Sequence, residues 1–222
     1  ERVFLSLPEY KASISYGEFM NRAEALLSHL RERGLRESQR VGILLNNGVE
    51  WLETFSAIML GNCVAVPLNP QLKDVEIQNL VRQADVRFLV GYKSRISQLS
   101  HETTVAYEKS CYLEPLSMLS CAEVADGTVG EDEALLLFTS GSTGIPKGVI
   151  LTHKNLLAEV GYIVEGHKLT KADTVLCVLP FFHINGLVIT FLTTICLGAH
   201  AVVPHGMGSV SFFWSMVKKY HV

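Results

Sequence analysis

The segment of residues 139–148, TSGSTGIPKG, holds the side chains of this chain that are best suited to chemistry. Its glycines allow the backbone to approach a ligand closely, and the N–H groups of such a turn form a concavity that binds anions. Serine and threonine hydroxyls add donors, and Lys147 adds a compact positive charge. Apolar runs at residues 135–138 and 149–151 predict a strand on each side. The sequence therefore predicts a phosphate-binding loop between two strands, with a polyphosphate as the ligand.

Two other interpretations of this segment are less favourable. A flexible Gly/Ser/Thr linker has a similar composition, but linkers are not normally enclosed by apolar strands without a further polar spacer. A P-loop NTPase has the pattern G-x-x-x-x-G-K-[ST]. Here Gly144 lies three residues before Lys147, and Gly148 occupies the position after the lysine where a P-loop has a hydroxyl. The pattern therefore disfavours both alternatives.

The composition indicates a globular protein with a sizeable core. The chain has 222 residues, of which 48% are hydrophobic and 18% are charged. These values are typical of soluble folded domains. The net charge is −3 and the basic residues are scattered along the chain. A nucleic-acid partner is therefore not predicted.

The cysteines indicate a reducing compartment. They are widely spaced and mostly in or beside apolar runs, with no CxxC pair and no Cys/His cluster that suits zinc: Cys63, Cys111, Cys121, Cys177 and Cys196. We therefore expect them to be small buried hydrophobic side chains. No secretory signal is visible at the N-terminus, so a cytoplasmic location is the expectation.

Apolar patterns predict the positions of helices and strands. Helical periodicity covers residues 13–34, 49–60, 74–84, 154–167 and 209–220, and the first of these has Ser15 and Glu18 at capping-box spacing. Short apolar runs predict strands over residues 41–45, 64–68, 87–90 and 174–179, and another near Val105. Because strands alternate with helices, we predict parallel pairing and an α/β fold in which helices cover the sheet faces.

Two polar segments predict breaks in this pattern. Asn46, Asn47 and Gly48 predict the turn after the strand at residues 41–45. A second polar, glycine-containing segment precedes the strand that leads into the phosphate loop. A subdivision of the chain is therefore predicted near residues 126–133.

The uncharged stretch from residue 174 to residue 217 raises the alternative of a membrane span. A span needs about 20 predominantly apolar residues. However, Pro180, His183, Asn185 and Gly186 divide the stretch, and the apolar run that follows covers about half a bilayer. A buried helix over residues 187–197 and a strand over residues 200–203 account better for the pattern.

The run TSGSTGIPKG resembles the signature of the adenylate-forming superfamily, which comprises acyl-CoA synthetases, adenylation domains of peptide synthetases and luciferases. The resemblance continues through Val149, Leu151, Thr152 and His153. It implies that ATP activates a carboxylate to an acyl-adenylate with release of pyrophosphate, after which the acyl group passes to a thiol, commonly that of CoA. The implied cofactors and co-substrates are therefore ATP, Mg²⁺ and CoA.

The same resemblance implies roles within the loop. Its N–H groups, hydroxyls and ammonium would contact the phosphates of ATP, where negative charge grows during the reaction. The implied nucleotide-binding residues are Thr139, Ser140, Gly141, Ser142, Thr143, Gly144 and Lys147. Lys147 and Thr143 are the implied catalytic residues, and Thr143 is also the implied metal ligand.

The segment FFHINGL, residues 181–187, resembles a second core motif of acyl-CoA synthetases. In that motif a Pro-aromatic-His turn lines the acyl pocket, which implies that His183, Asn185 and Gly186 border the acid substrate. Without the resemblance, an isolated histidine in apolar surroundings is more often a core residue. Adenylation domains of peptide synthetases generally lack this turn. The motif therefore favours an acyl-CoA synthetase, with a fatty acid or a related acid as the substrate.

The resemblance extends along essentially the whole chain. It implies that residues 1–222 form an incomplete N-terminal AMP-binding domain of layered sheets flanked by helices, without the C-terminal lid domain. The expected partners are a small-molecule carboxylic acid, ATP and CoA, with no nucleic acid and no transmembrane segment. On its own the chain is expected to be inactive, and the apolar Phe212, Phe213 and Trp214 predict self-association. A carrier-protein adenylation domain and a non-catalytic nucleotide-binding module stay open as alternatives.

Overall fold

The computed structural model describes residues 2–97, 99, 104–107, 132–139, 146–205 and 213–222. The α-helices of this part of the chain are α1 (Tyr16–Glu32), α2 (Val49–Leu60), α3 (Asp74–Gln83), α4 (Lys93–Ile96), α5 (His153–His167), α6 (Thr193–Leu197) and α7 (Phe213–Tyr220). The strands are β1 (Val3–Leu7), β2 (Ala12–Ser15), β3 (Arg40–Leu44), β4 (Val64–Pro67), β5 (Phe88–Tyr92), β6 (Thr104–Tyr107), β7 (Glu133–Thr139), β8 (Lys147–Thr152), β9 (Thr174–Leu176) and β10 (His200–Val202). A 3-10 turn, Pro8–Tyr10, follows β1, and a π-helix, Asn185–Leu192, leads into α6.

The described strands form two sheets, and the predicted α/β class is confirmed. One sheet has the order β6-β5-β3-β4-β7-β8 and the other has the order β2-β1-β10-β9. Most neighbouring strands are parallel, as predicted, but β8 is antiparallel to β7 and β2 is antiparallel to β1. In both cases the connection is shorter than the dozen or so residues that a parallel crossover needs. The antiparallel pairs therefore follow from loop length.

The chain divides into two compact units that are described separately. The first comprises Glu1–Arg22, Asn46–Leu52 and Lys154–Val222, and the second comprises Ala23–Leu45 and Glu53–His153. The division passes within α1 and within α2. The predicted subdivision near residues 126–133 falls mostly outside the described residues and stays a prediction.

The core of the first unit contains a cluster of aromatic rings around β1. The ring of Phe4 lies 4.9 Å from that of Phe19 and 6.1 Å from that of Phe191, measured between centroids, and all three side chains are fully buried. The Tyr16 hydroxyl donates a hydrogen bond of 2.6 Å to the backbone oxygen of Ala199. Burial raises the pKa of Tyr16 to about 12, so this phenol stays a donor across the physiological range.

The core of the second unit lies between its parallel strands and α3. Its strands carry nearly continuous buried apolar side chains, as expected for parallel strands that are covered on both faces. One hydrophobic cluster of this unit comprises Leu44, Val64, Val66, Leu68, Ile77, Leu80, Val81, Ala84, Val86, Leu89, Ile96, Leu99 and Leu136. An ion pair of 3.0 Å joins Arg40 on β3 to Glu133 on β7. These contacts fix the base from which β7 extends to the predicted phosphate loop.

The ends of α1 agree with the sequence. The backbone N–H of Glu18 donates to Ser15 Oγ at 3.1 Å, which satisfies a free donor at the start of the helix. The helix ends at Glu32, and Gly34 follows with φ of 93°. Glycine adopts this left-handed conformation without steric cost. The predicted start and stop signals are therefore confirmed.

The segment after β9 differs from the sequence prediction in detail. β9 ends at Leu176 rather than at residue 179, and the predicted buried helix begins as a π-helix before it continues as α6. Leu187, Val188 and Phe191 are buried, as predicted. Cys63 and Cys177 are buried too, whereas Cys196 in α6 is exposed, which corrects the prediction for that cysteine. In the described part of the chain, every helix is too short or too polar to cross a membrane.

Candidate functional site

The two ends of the predicted phosphate loop lie side by side. Thr139 is the last residue of β7 and Lys147 is the first residue of β8, and the two are direct partners across the antiparallel pair. Thr139 Oγ1 donates a hydrogen bond of 3.3 Å to the backbone oxygen of Lys147. Both residues are exposed. The described ends of the predicted loop are therefore adjacent in the sheet.

The other predicted nucleotide-binding residues lie outside the described part of the chain. They are Ser140, Gly141, Ser142, Thr143 and Gly144. Their roles in nucleotide binding, and those of Thr143 in catalysis and metal binding, stay predictions. The structure thus brings together two of the predicted nucleotide-binding residues, Thr139 and Lys147.

The base of the loop is anchored to buried structure. Residues 134–137 of β7 are buried, and the pairs Leu136–Ile150 and Phe138–Gly148 continue the antiparallel register below the tip. Gln83, the last residue of α3, donates from Nε2 to the backbone oxygen of Pro146 at 3.1 Å. The strand ends that carry Thr139 and Lys147 are therefore held by buried residues of β7 and by this hydrogen bond.

The His183 turn follows β9 and belongs to the first unit. The backbone N–H of His183 donates to the oxygen of Pro180 at 3.1 Å, and the N–H of Leu187 donates to the oxygen of His183 at 3.1 Å. The first bond closes the turn, and the second joins the turn to the π-helix. His183 and Asn185 are exposed, whereas Gly186 is buried. The ring of Phe182 lies 4.5 Å from the ring of His183. The structure therefore places the three predicted pocket residues on one turn, with two polar side chains on its surface.

Gly186 permits a close approach between this turn and the start of the π-helix. A Cβ atom at position 186 would lie 2.1 Å from the backbone oxygen of Pro180 and 3.0 Å from that of Leu179. Real Cβ atoms do not approach a backbone oxygen at the shorter distance, so no other residue fits without movement of the turn. Gly186 therefore has a steric role within the turn, and its role at the acid substrate stays a prediction.

Asn47 contacts this turn, and the sequence did not reveal that contact. Asn47 lies between β3 and α2 and is only 4% exposed. Its Nδ2 donates to the backbone oxygen of Leu179 at 2.7 Å, and its Oδ1 accepts from the backbone N–H of Phe181 at 2.9 Å. The local pattern Asn46-Asn47-Gly48 predicts only a turn, because its partners are more than a hundred residues away. The role of Asn47 could have been predicted only if its contact with Leu179 and Phe181 had been known.

Neither a metal cluster nor a reactive thiol lies near the turn in the described residues. No group of three or more His, Cys, Asp or Glu side chains able to hold a metal ion occurs in the described ranges. Cys177 lies just after β9 and is fully buried. Burial raises the pKa of its thiol to about 12. Because the thiolate is the nucleophilic form, burial disfavours this cysteine as a nucleophile.

Comparison with known proteins gives one family and a consistent set of relatives. The family model described as AMP-binding enzyme matches residues 1–222. An oxalate–CoA ligase of Arabidopsis thaliana is 31% identical over 245 residues, which cover 100% of this chain and 47% of the ligase. 4-Coumarate–CoA ligase 3 of the same plant is 29% identical over 211 residues, which cover 87% of this chain and 37% of the ligase. The chain therefore spans less than half the length of these relatives.

Solved structures give the same result for the fold. The O-succinylbenzoate coenzyme A synthetase of Bacillus subtilis, in complex with AMP, has a TM-score of 0.81 and 25% identity, with 100% of this chain and 57% of that chain covered. The same enzyme in complex with ATP and magnesium ion has a TM-score of 0.80 and 23% identity, with 100% of this chain and 58% of that chain covered. The fold is thus that of the N-terminal domain of adenylate-forming enzymes.

Proposed function

The chain belongs to the AMP-binding enzyme family, and we propose that it contributes to an ATP-dependent acid–thiol ligase. In the first step a carboxylate oxygen of the substrate attacks the α-phosphorus of ATP. The bond from that phosphorus to the oxygen bridging to the β-phosphate breaks, and pyrophosphate leaves with the electron pair. In the second step the thiol of CoA loses its proton and attacks the acyl carbon, and AMP leaves. The products are an acyl-CoA, AMP and pyrophosphate.

The pairing of Thr139 with Lys147 is the observation that supports this function most directly. It holds both ends of the TSGSTGIPKG segment at one exposed point of the sheet, where the loop's hydroxyls and N–H groups would surround a phosphate. Lys147 would then stabilise the charge that grows on the α-phosphate and on the departing pyrophosphate. The loss of one such donor typically raises a barrier by about 3 to 4 kcal/mol.

The residues present suit Mg²⁺–ATP as the nucleotide form. Hydroxyl oxygens such as that of Thr143 are hard ligands, which Mg²⁺ prefers, together with oxygens of the phosphates. When it is bound, Mg²⁺ neutralises charge on the phosphates. The Bacillus subtilis synthetase, which was solved with ATP and magnesium ion, supports this assignment.

We assign the carboxylic acid to the turn that carries His183, Asn185 and Gly186. Two exposed polar side chains beside the half-buried ring of Phe182 would suit an acid with an apolar body. A fatty acid is the substrate that we expect first. The named relatives act on oxalate, 4-coumarate and O-succinylbenzoate according to their names, so aromatic and dicarboxylic acids are the next candidates.

Pyrophosphate exchange on the full-length enzyme tests the proposal. Labelled pyrophosphate should enter ATP only when Mg²⁺ and an acid from a panel of fatty, aromatic and dicarboxylic acids are both present. Addition of CoA should then give the acyl-CoA, whereas a carrier protein should not replace CoA. Residues 1–222 alone should form no acyl-adenylate. A folded full-length enzyme that exchanges no pyrophosphate with any acid would overturn the proposal.

A further inference from the structure

The turn at Pro180 is held from both sides by one buried amide. Asn47 Nδ2 donates to the oxygen of Leu179 at 2.7 Å, and Asn47 Oδ1 accepts from the N–H of Phe181 at 2.9 Å. Proline has no N–H of its own, so this position cannot be held through a backbone donor. The side-chain amide of Asn47 supplies one donor and one acceptor to the backbone, as a residue of a paired strand would. Asn47 therefore fixes the backbone immediately before and immediately after Pro180.

The position of Pro180 in turn fixes the surface of the turn. Its backbone oxygen accepts the hydrogen bond from His183, and the Cα of Gly186 packs directly against the same oxygen. His183 and Asn185 lie between these two contacts and carry the exposed polar side chains. A displacement of the Pro180 carbonyl would therefore move both side chains together.

Trp51 makes an apolar contact with the same turn. It lies in the first turn of α2, one helical turn after Asn47 in the sequence, and its ring is 5.3 Å from the ring of Phe181. Both rings are fully buried. Packing between the two rings opposes their separation but allows one ring to slide over the other. The two hydrogen bonds to the planar amide of Asn47 depend on angle as well as distance, so they also fix the orientation of the turn's backbone. The orientation of the turn therefore depends on Asn47 more than on Trp51.

We propose that Asn47 is a positioning residue for the acid substrate, which acts by holding the Pro180 turn so that His183 and Asn185 face the carboxylate in one orientation. This inference rests on the proposed function of the turn. It adds a residue from the segment between β3 and α2 to the determinants of acid recognition. Loss of the amide should weaken acid binding and leave the nucleotide's phosphate contacts, which lie at the Thr139–Lys147 hairpin, unchanged.

The kinetic test uses the full-length enzyme with Asn47→Ala, Asn47→Asp and Asn46→Ala. Asn46 is exposed and adjacent, so Asn46→Ala is the matched control and should behave as wild type. Because a misplacement of about 1 Å can cost 10²-fold in rate, we expect Asn47→Ala to raise the KM for the acid at least about tenfold. The KM for ATP should stay within twofold. A merely structural role would lower the amount of active enzyme and change neither KM.

Asn47→Asp adds a pH signature. The carboxylate of the introduced aspartate can still accept the hydrogen bond from the N–H of Phe181. Its other oxygen, however, faces the backbone oxygen of Leu179, and both are acceptors. Only the protonated carboxyl group can donate a hydrogen bond to Leu179. Burial raises the pKa of such a carboxyl group. Relative to wild type at each pH, the KM of Asn47→Asp for the acid should fall as the pH is lowered from 8 to 6. That of Asn47→Ala should not change.

Fluorescence tests the structural link without substrate. Residues 1–222 contain two tryptophans, of which Trp51 lies beside Phe181 and Trp214 is 76% exposed. In the full-length enzyme the emission of Trp51 is obtained as the difference between a variant and the same variant with Trp51→Phe. This difference spectrum should lie at longer wavelength in Asn47→Ala than in wild type, and it should be unchanged in Asn46→Ala.

The outcomes separate the two proposals. Absence of pyrophosphate exchange by the wild-type enzyme would overturn the proposed function. Exchange by the wild type together with an unchanged acid KM in Asn47→Ala, or with equal rises in both KM values, would overturn the positioning role alone.

Discussion

Gly186 and Pro180 are in such close contact that a methyl group does not fit between them, because a Cβ at position 186 would lie 2.1 Å from the Pro180 oxygen. We therefore expect Gly186→Ala to be strongly destabilising. Overpacking typically costs about 1–3 kcal/mol, and a rigid backbone oxygen as the obstacle indicates the upper part of this range. The midpoint and slope of urea unfolding would measure the loss.

Gly161 provides the matched control for this substitution. It lies within α5, and a Cβ there would meet no atom within 4 Å. Because glycine is about 1 kcal/mol less favourable than alanine inside a helix, Gly161→Ala should stabilise the chain slightly. Equal effects of the two substitutions would contradict the steric role of Gly186.

Lys147→Ala should abolish adenylation and leave the fold intact. Lys147 is exposed at the first position of β8, so its side chain supports no core contact. Removal of its charge from the phosphate site should slow pyrophosphate exchange by about 10²-fold or more, while the unfolding midpoint changes little. Lys154→Ala, at an exposed position of α5, should have no effect on either quantity. Exchange within twofold of wild type in Lys147→Ala would contradict the phosphate role.

The stability of the chain should decrease as the pH falls below about 6.5, partly because of His200. Its Nε2 lies 2.9 Å from Ser6 Oγ and its Nδ1 lies 3.4 Å from Thr174 Oγ1. Burial lowers the pKa of His200 below its usual value. The unfolded chain therefore takes up a proton near pH 6.5 that the folded chain does not bind.

The expected pH profile has a defined direction. The contribution of His200 should be fully present above the unfolded pKa and should be lost as the pH falls through the folded pKa. His200→Gln should therefore give a shallower dependence of the free energy of unfolding between pH 7.5 and 5 than wild type. Burial also lowers the pKa of His29, so a residual slope should remain. An identical slope in the variant would exclude His200 as a contributor.

Local patterns predicted the elements whose residues carry their own signal. The range of α2 was predicted as Val49–Leu60 and is observed with the same ends. The predicted ends of α3 and α5 differ by one residue from Asp74–Gln83 and His153–His167. In these segments the apolar periodicity agrees with the observed helices, and Gly48 and Gly61 flank α2. Tertiary contacts therefore did not need to change the locally preferred structure.

Features that depend on distant partners were missed. Nothing in the sequence of β1 shows that it pairs with β10, and β1 and β2 were not predicted at all. The π-helix was predicted as an ordinary helix because its apolar residues suit either geometry. The function of Asn47 depends on Leu179 and Phe181, which no local pattern connects to it.

Residues 1–222 on their own should self-associate through β8. This strand is the edge of the six-stranded sheet, and its Val149 and Ile150 are 43% and 46% exposed on opposite faces. An unpaired edge with apolar side chains is a template for pairing with another chain. We expect oligomers of the isolated chain in light scattering at micromolar concentration, and fewer of them in Ile150→Lys.

Leu157→Lys is the control for this prediction. Leu157 is 63% exposed, but it lies on α5 and not on a strand edge, so the substitution should reduce association less. The sequence predicted association through Phe212, Phe213 and Trp214. Of these, Trp214 is exposed, Phe213 is half-buried, and Phe212 lies outside the described residues. A monomeric wild-type chain would contradict both routes.

The pairing of β1 with β10 also sets the order in which this chain can fold during synthesis. Leu5 is opposite Ala201 in the four-stranded sheet. The parallel partner of β1 therefore does not exist until residues 200–202 have been synthesised. At a translation rate of about 5–20 residues per second, the wait is about 10 to 40 s. β3, β4 and β5 lie close together in sequence and pair with one another, so they are complete much earlier. For that interval β2 is the partner of β1 among the described strands. Phe4 can already pack against Phe19, but its contact with Phe191 cannot yet form.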